Sequence, residues 1–150
     1  MCEAKTLSRL WPLVQSSSNQ RERWRAGELV LAIGGEGVVA EFLKKLPSTK
    51  GVAYEPEELE GYAKRMGQMK PLPKELLRAQ LSSPNWWQRV IALRFFERKG
   101  DQSDLKAMKR LVNDAAGVNG EHWDAKMTVG KVAKNSVEYL DQSLKTDKSS

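Results

Sequence analysis

The chain is poor in the residues that most often do chemistry, with one cysteine and one histidine among 150 residues. A lone Cys2 forbids an intramolecular disulfide, which agrees with a reducing compartment. Cys2 and His122 lie at opposite ends of the chain and make no ligand spacing, so no metal site of a familiar kind is expected and no cofactor is assigned. A nucleophilic triad would have to draft the same His122, and no strand-turn-helix elbow surrounds any serine. Long apolar runs are missing too. The stretch LVLAI at 29–33 falls far short of the roughly 20 residues that span a bilayer. The first residues, MCEAKTLSRLWPLV, lack a continuous signal-peptide core, and the expectation is an intracellular, cytoplasmic protein.

Phosphate loops are absent as well. The three glycines of AIGGEGVV, 32–39, fit neither the dinucleotide nor the Walker pattern and follow a helical segment, so they read as a helix end and turn. The acids Glu57, Glu58 and Glu60 stand in the first turn of a helix, where they favour its dipole. These exclusions together predict a protein without catalysis.

What is abundant is positive charge and helical periodicity. Lysine and arginine number 25 against 19 acids, a formal net charge of +6 that favours an acidic partner, whether a protein surface, anionic lipid or nucleic acid. Strand alternation is nearly absent, and Asn119-Gly120 has no strands beside it. Apolar spacing predicts helices near 3–17 and 20–33, then a third through Val38, Phe42 and Leu46 that stops at Pro47. The stretch PSTKGVAYEP, 47–56, is a loop. Further helices are expected at about 56–69, 74–81 and 84–100. A seventh, capped by Asp101 or Ser103, carries Leu105 and Met108, and an eighth runs from about Glu121 to Leu144. One domain, 1–145, with a disordered tail, 146–150, accounts for the chain.

Eight helices with short connections suggest four antiparallel hairpins whose second members start near 20, 55, 85 and 121. Set over each other without a gap, SSSNQRERWRAGELVLAIGG, 16–35, and SSPNWWQRVIALRFFERKGD, 82–101, align Ser16, Asn19, Arg23, Ala26 and Gly34 with Ser82, Asn85, Arg89, Ala92 and Gly100. A polar cap, an arginine, a small residue three later and a closing glycine resemble the second helix of a HEAT-like, armadillo-type repeat. The following GDQSDLKAMKRLVND, 100–114, is similar to the link and first helix of the next repeat, with Asp114 where such repeats often carry an acid. The resemblance covers 16–46 and 82–114 and is poor over 47–81. It implies an all-α, right-handed solenoid. DNA alkylation repair glycosylases also use HEAT-like repeats, with tryptophans beside an acid. Here Gln88 and Arg89 follow Trp86 and Trp87, and no acid occurs until Glu97, so that activity is not expected.

Trp86 and Trp87 open the sixth helix, and adjacent helical residues point about 100° apart. Arg23 and Arg89, at the repeated position, are expected to bind loop carbonyls or an acid of the next unit. Ala92 and Phe96 define an inward strip, which predicts Trp87 as the exposed ring, sharing a face with Ile91, Arg94 and Arg98. Arg21, Arg25 and Glu28 share a face of the second helix, with Trp24 on another side. The expected function is therefore a scaffold or adaptor that binds an acidic protein segment through Trp87, Arg94, Arg98, Arg21 and Arg25. The alternative is a nucleic-acid-binding repeat protein, and the exposed ends of a short array also permit a homo-oligomer.

Overall fold

The computed structural model describes residues 2–149, with side chains placed for 4–146. Among them the chain forms eight α-helices and no strand: α1 (Cys2–Val14), α2 (Gln20–Gly34), α3 (Val39–Lys45), α4 (Pro56–Met66), α5 (Lys74–Gln80), α6 (Trp86–Lys99), α7 (Gln102–Lys109) and α8 (Val129–Ser149). A 3-10 turn, Gly35–Val38, joins α2 to α3. The one extended pairing among the described residues is an isolated bridge between Gly117 and Thr128. No described helix is long and apolar enough to cross a membrane.

The longer even-numbered helices form a row in which α2 packs on α4, α4 on α6 and α6 on α8. The pairs α1/α2, α5/α6 and α7/α8 are in close contact, whereas α3 lies against α1 and α2. Of the four expected hairpins, the second is therefore opened out. Its long connection, 46–55, is the cause, and it falls where the repeat pattern in the sequence is weakest. At the centre, α6 touches α4, α5, α7 and α8, and it buries Trp87, Val90, Ile91, Ala92, Leu93, Phe95, Phe96 and Glu97. A helix surrounded in this way keeps only a narrow outward polar stripe. Gly27 lets α2 and α4 approach, since a Cβ there would lie 2.7 Å from Tyr62 Cε1.

Arg23 and Arg89 both turn back to a serine carbonyl ahead of their helix, but only the first helix has its asparagine side chain as a cap. Asn19 caps α2, its side chain accepting the Glu22 N–H at 3.0 Å, and one turn into the helix the Arg23 guanidinium turns back to donate to the Ser16 carbonyl at 3.0 Å. Arg23 also donates to Ala53 O at 2.7 Å and grips Glu58 of α4 through two bonds of 2.7 Å. In α6, Arg89 donates to the Ser83 carbonyl at 2.7 Å and to Asp114 beyond α7 at 2.9 Å. Ala26 and Ala92, each three residues further on, are both buried.

One expectation about the C-terminal third is corrected. The eighth helix starts at Val129 instead of Glu121, with the Thr128 hydroxyl accepting the Lys131 N–H at 3.2 Å as its cap. Residues 110–128 are irregular because they are tied to the loop 46–55. Glu55 accepts the N–H groups of Glu121 and His122 at 2.9 and 2.7 Å, and Trp123 Nε1 donates to Tyr54 O at 2.7 Å. Asn119 Nδ2 donates to Gly51 O and Val52 O at 2.9 and 3.1 Å. His122 is thus a loop residue, not a helix start. At the other end α8 continues to Ser149. No proline or glycine interrupts SLKTDKS, and Lys145 pairs with Asp141 one turn back at 3.1 Å. Ser150 lies outside the described residues.

Candidate functional site

The sequence-predicted binding residues are divided by the fold among three environments. Trp87 is the first correction: it is 6% exposed, and its ring stacks on Tyr54 at 5.0 Å and 20°. Trp86 is the more exposed of the two. It meets Tyr54, Trp87 and Trp123 edge-on at 5.9–6.1 Å, so both rings belong to an aromatic clasp that holds the two long loops to the start of α6. The covering ring, Tyr54, comes from a loop 33 positions earlier, beyond the reach of helical spacing. The clasp continues into the core, where the Arg23 guanidinium lies 4.3 Å from the centre of the Tyr54 ring and the Tyr54 hydroxyl donates to Pro47 O at 2.6 Å.

Burial shapes the ionisation of this region. It pushes the Tyr54 hydroxyl well above its usual range, against the opposing pull of Arg23. Burial and the adjoining Glu58 carboxylate raise Tyr62 likewise, and Tyr62 donates to Glu58 at 2.6 Å. Burial disfavours the Arg23 cation, but the bonds and charge of Glu58 outweigh it and raise its pKa. Every polar arm of Arg23 and Glu58 is thereby committed inward. The arrangement ties α2 to α4 and to the loop carbonyl of Ala53.

Arg94 and Arg98 lie on the outer face of α6 and line a cleft of about 260 Å³ with Glu57, Glu60, Gly61 and Lys64 of α4. Both are engaged by acids. Arg94 pairs with the buried Glu97 at 2.9 Å, and Glu97 also accepts from Ser136 of α8 at 2.8 Å. Arg98 approaches Glu60 at 3.7 Å and the exposed Tyr139 ring at 5.5 Å. Other cations stand elsewhere. Arg110 lines a separate cleft with Arg78 and Asp104, and Lys45 stands 5.7 Å over the Trp11 ring.

Arg21 and Arg25 are different. They stand on an outer face of α2, at the end of the helix row, and line a cavity of about 360 Å³ between α1 and α2. Its other walls are Leu10 and Leu13 of α1, the capping Asn19, and Glu22, Ala26 and Leu29 of α2. Leu29 is 51% exposed, the most open large aliphatic side chain described. Neither Arg21 nor Arg25 is in an ion pair among the described residues. The missed feature was this pairing of the two arginines with leucines. The signal was present, since Arg21, Arg25 and Leu29 stand at intervals of four, but the leucines of α1 join them only through the hairpin.

Among the described residues no three histidine, cysteine, aspartate or glutamate side chains come together to hold a metal ion. Comparison with known proteins finds no family model, no curated protein and no solved structure that matches the chain.

Proposed function

We propose that the chain is a non-catalytic protein-interaction module, a short right-handed HEAT-like stack, that binds an acidic protein segment. The binding half of this reading rests on one observation: of the five residues expected to make contact, only Arg21 and Arg25 are exposed cations that no acid among the described residues engages, and they flank exposed leucine. Unpaired cations beside apolar surface reward an anionic, partly apolar partner and disfavour a basic one. The repeat half is supported by the parallel placement of Arg23 and Ala26 with Arg89 and Ala92, each arginine reaching back to a serine carbonyl, whereas of Asn19 and Asn85 only Asn19 caps its helix through its side chain.

Fluorescence anisotropy with a labelled glutamate-rich, leucine-containing peptide and with a DNA duplex tests the function. The peptide is expected to bind, and the double variant Arg21→Ala/Arg25→Ala to lose that binding by about tenfold or more while keeping the thermal midpoint. Tighter binding to DNA, weakening with salt at a logarithmic slope of roughly 0.9 per phosphate contact, replaces the reading with nucleic-acid binding.

A further inference from the structure

We infer that the groove between α1 and α2 takes its acidic partner as an amphipathic helix of about two to three turns. This deepens the acidic-segment reading and rests on it. The first support is the state of the groove's backbone. Both walls are α-helices, Cys2–Val14 and Gln20–Gly34, whose N–H and C=O groups bond along each helix except at its ends and at Pro12, which has no N–H, so no sheet edge or open ladder is offered to an extended peptide. An extended segment laid there would leave its own amides without protein partners. A helix satisfies them internally and presents only side chains.

The second support is the spacing. Arg21, Arg25 and Leu29 stand on α2 at successive steps of four, covering about 12 Å of axis, which is slightly more than two helical turns. A partner helix of matching length presents acids four residues apart to the two arginines, at the same axial interval of about 6 Å. Its neighbouring apolar face, at intervals of three and four, then meets Leu10, Leu13 and Leu29. The third is charge. Glu22 is the one acid on the wall against two arginines, so the rim keeps a net positive charge of one, and arginine supplies donors only. Carboxylates are the complementary groups, and a second copy of this basic chain is a poor match.

The experiment uses an acetylated peptide of about 16 residues, long enough to populate a helix, with leucines at intervals of three and four and glutamates four apart. A second peptide places two prolines in its middle, and a third scrambles the same composition. Binding is followed by anisotropy and by amide chemical shifts of the labelled full chain. The helical peptide is expected to bind at least about tenfold more tightly than either control, to shift Leu10, Leu13, Arg21, Arg25 and Leu29, and to be lost in Leu29→Glu. Equal binding of all three peptides, still dependent on Arg21 and Arg25, overturns the helix while leaving the acidic segment standing. Failure of all three, or binding unaffected by Arg21→Ala/Arg25→Ala, overturns both. Sedimentation that shows a dimer dispersed by Leu29→Glu also overturns the inference, by assigning the groove to a second copy.

Discussion

Arg23 and Arg89 begin from the same sequence context and end in different physical states. Both come after an asparagine at the helix start, both reach back to a serine carbonyl, and both reach forward to one carboxylate. Arg23 is fully buried against Glu58, which is itself buried within α4 and shared with Tyr62. Arg89 meets Asp114 in a loop, and both side chains keep contact with solvent. The difference comes from the path of the chain beyond each helix. After α2 the chain runs through α3 and a long loop into α4, whose acid arrives from inside the row, whereas after α6 the short α7 delivers an acid on a turn at the surface. One motif thus gives a buried keystone in the first half and a surface brace in the second.

Removing each arginine separates the two states. Arg23→Ala leaves Glu58 as a buried, uncompensated charge, and the expected loss is about 3–5 kcal/mol in denaturant unfolding. A loss close to that of Arg89→Ala would make the nodes equivalent and remove the keystone. Trp87→Ala, beside the first node across Tyr54, is expected to cost about as much, roughly 3–5 kcal/mol, by opening a cavity between α6 and the loop. Trp86→Ala is expected to cost clearly less, since that ring is partly exposed. Trp87→Phe sharpens the contrast: the Trp87 indole N–H is buried with no acceptor, so the smaller ring gives up packing but also removes an unsatisfied donor.

Arg89→Ala ranks next, at about 1–3 kcal/mol, because water reaches Asp114 once the guanidinium is gone. Double variants with Glu58→Ala and Asp114→Ala measure the coupling directly, and it should be larger in the first half.

The same two nodes show where a sequence stops speaking. Asn19, Arg23 and the apolar steps of α2 act within a few residues, and they carry the helix bounds and the arginine roles. The Asp101 capping box at α7 is equally local, with the Ser103 and Asp104 N–H groups on its carboxylate at 2.9 and 3.1 Å. The burial of Trp87 and the start of α8 escape a local reading because their determinants are distant. Tyr54 covers Trp87, and Glu55 holds residues 121 and 122 out of helix, both from a loop whose path no periodicity encodes. Local hints did exist in Gly117, Asn119-Gly120 and the capping Thr128. Their strength was that of turn residues, and the tertiary bonds decided. At the groove the two arginines were legible, but their freedom from acids was not, since ion pairing between helices depends on packing.

The smallest effect expected concerns acid, and it distinguishes the loop clasp from the helix cap. Burial pushes the Glu55 carboxyl up, but the N–H groups of His122 and Glu121 and the His122 ring outweigh it and hold it below its ordinary value of 4.5. Asp101 is held down to about 2, chiefly by the Ser103 hydroxyl and the Asp104 N–H. A carboxylate whose folded pKa is depressed contributes stability that is complete above its unfolded value and lost as pH falls through the folded one. Glu55→Gln should therefore lower stability near neutrality by about 1 kcal/mol, and its gap from wild type should close as pH drops below about 4.5. Asp101→Ala should open a gap of similar size that persists toward pH 2. Thermal melts across that range read both gaps on one axis. If the Asp101→Ala gap closes already at about pH 4, the depressed acidity assigned to Asp101 is wrong.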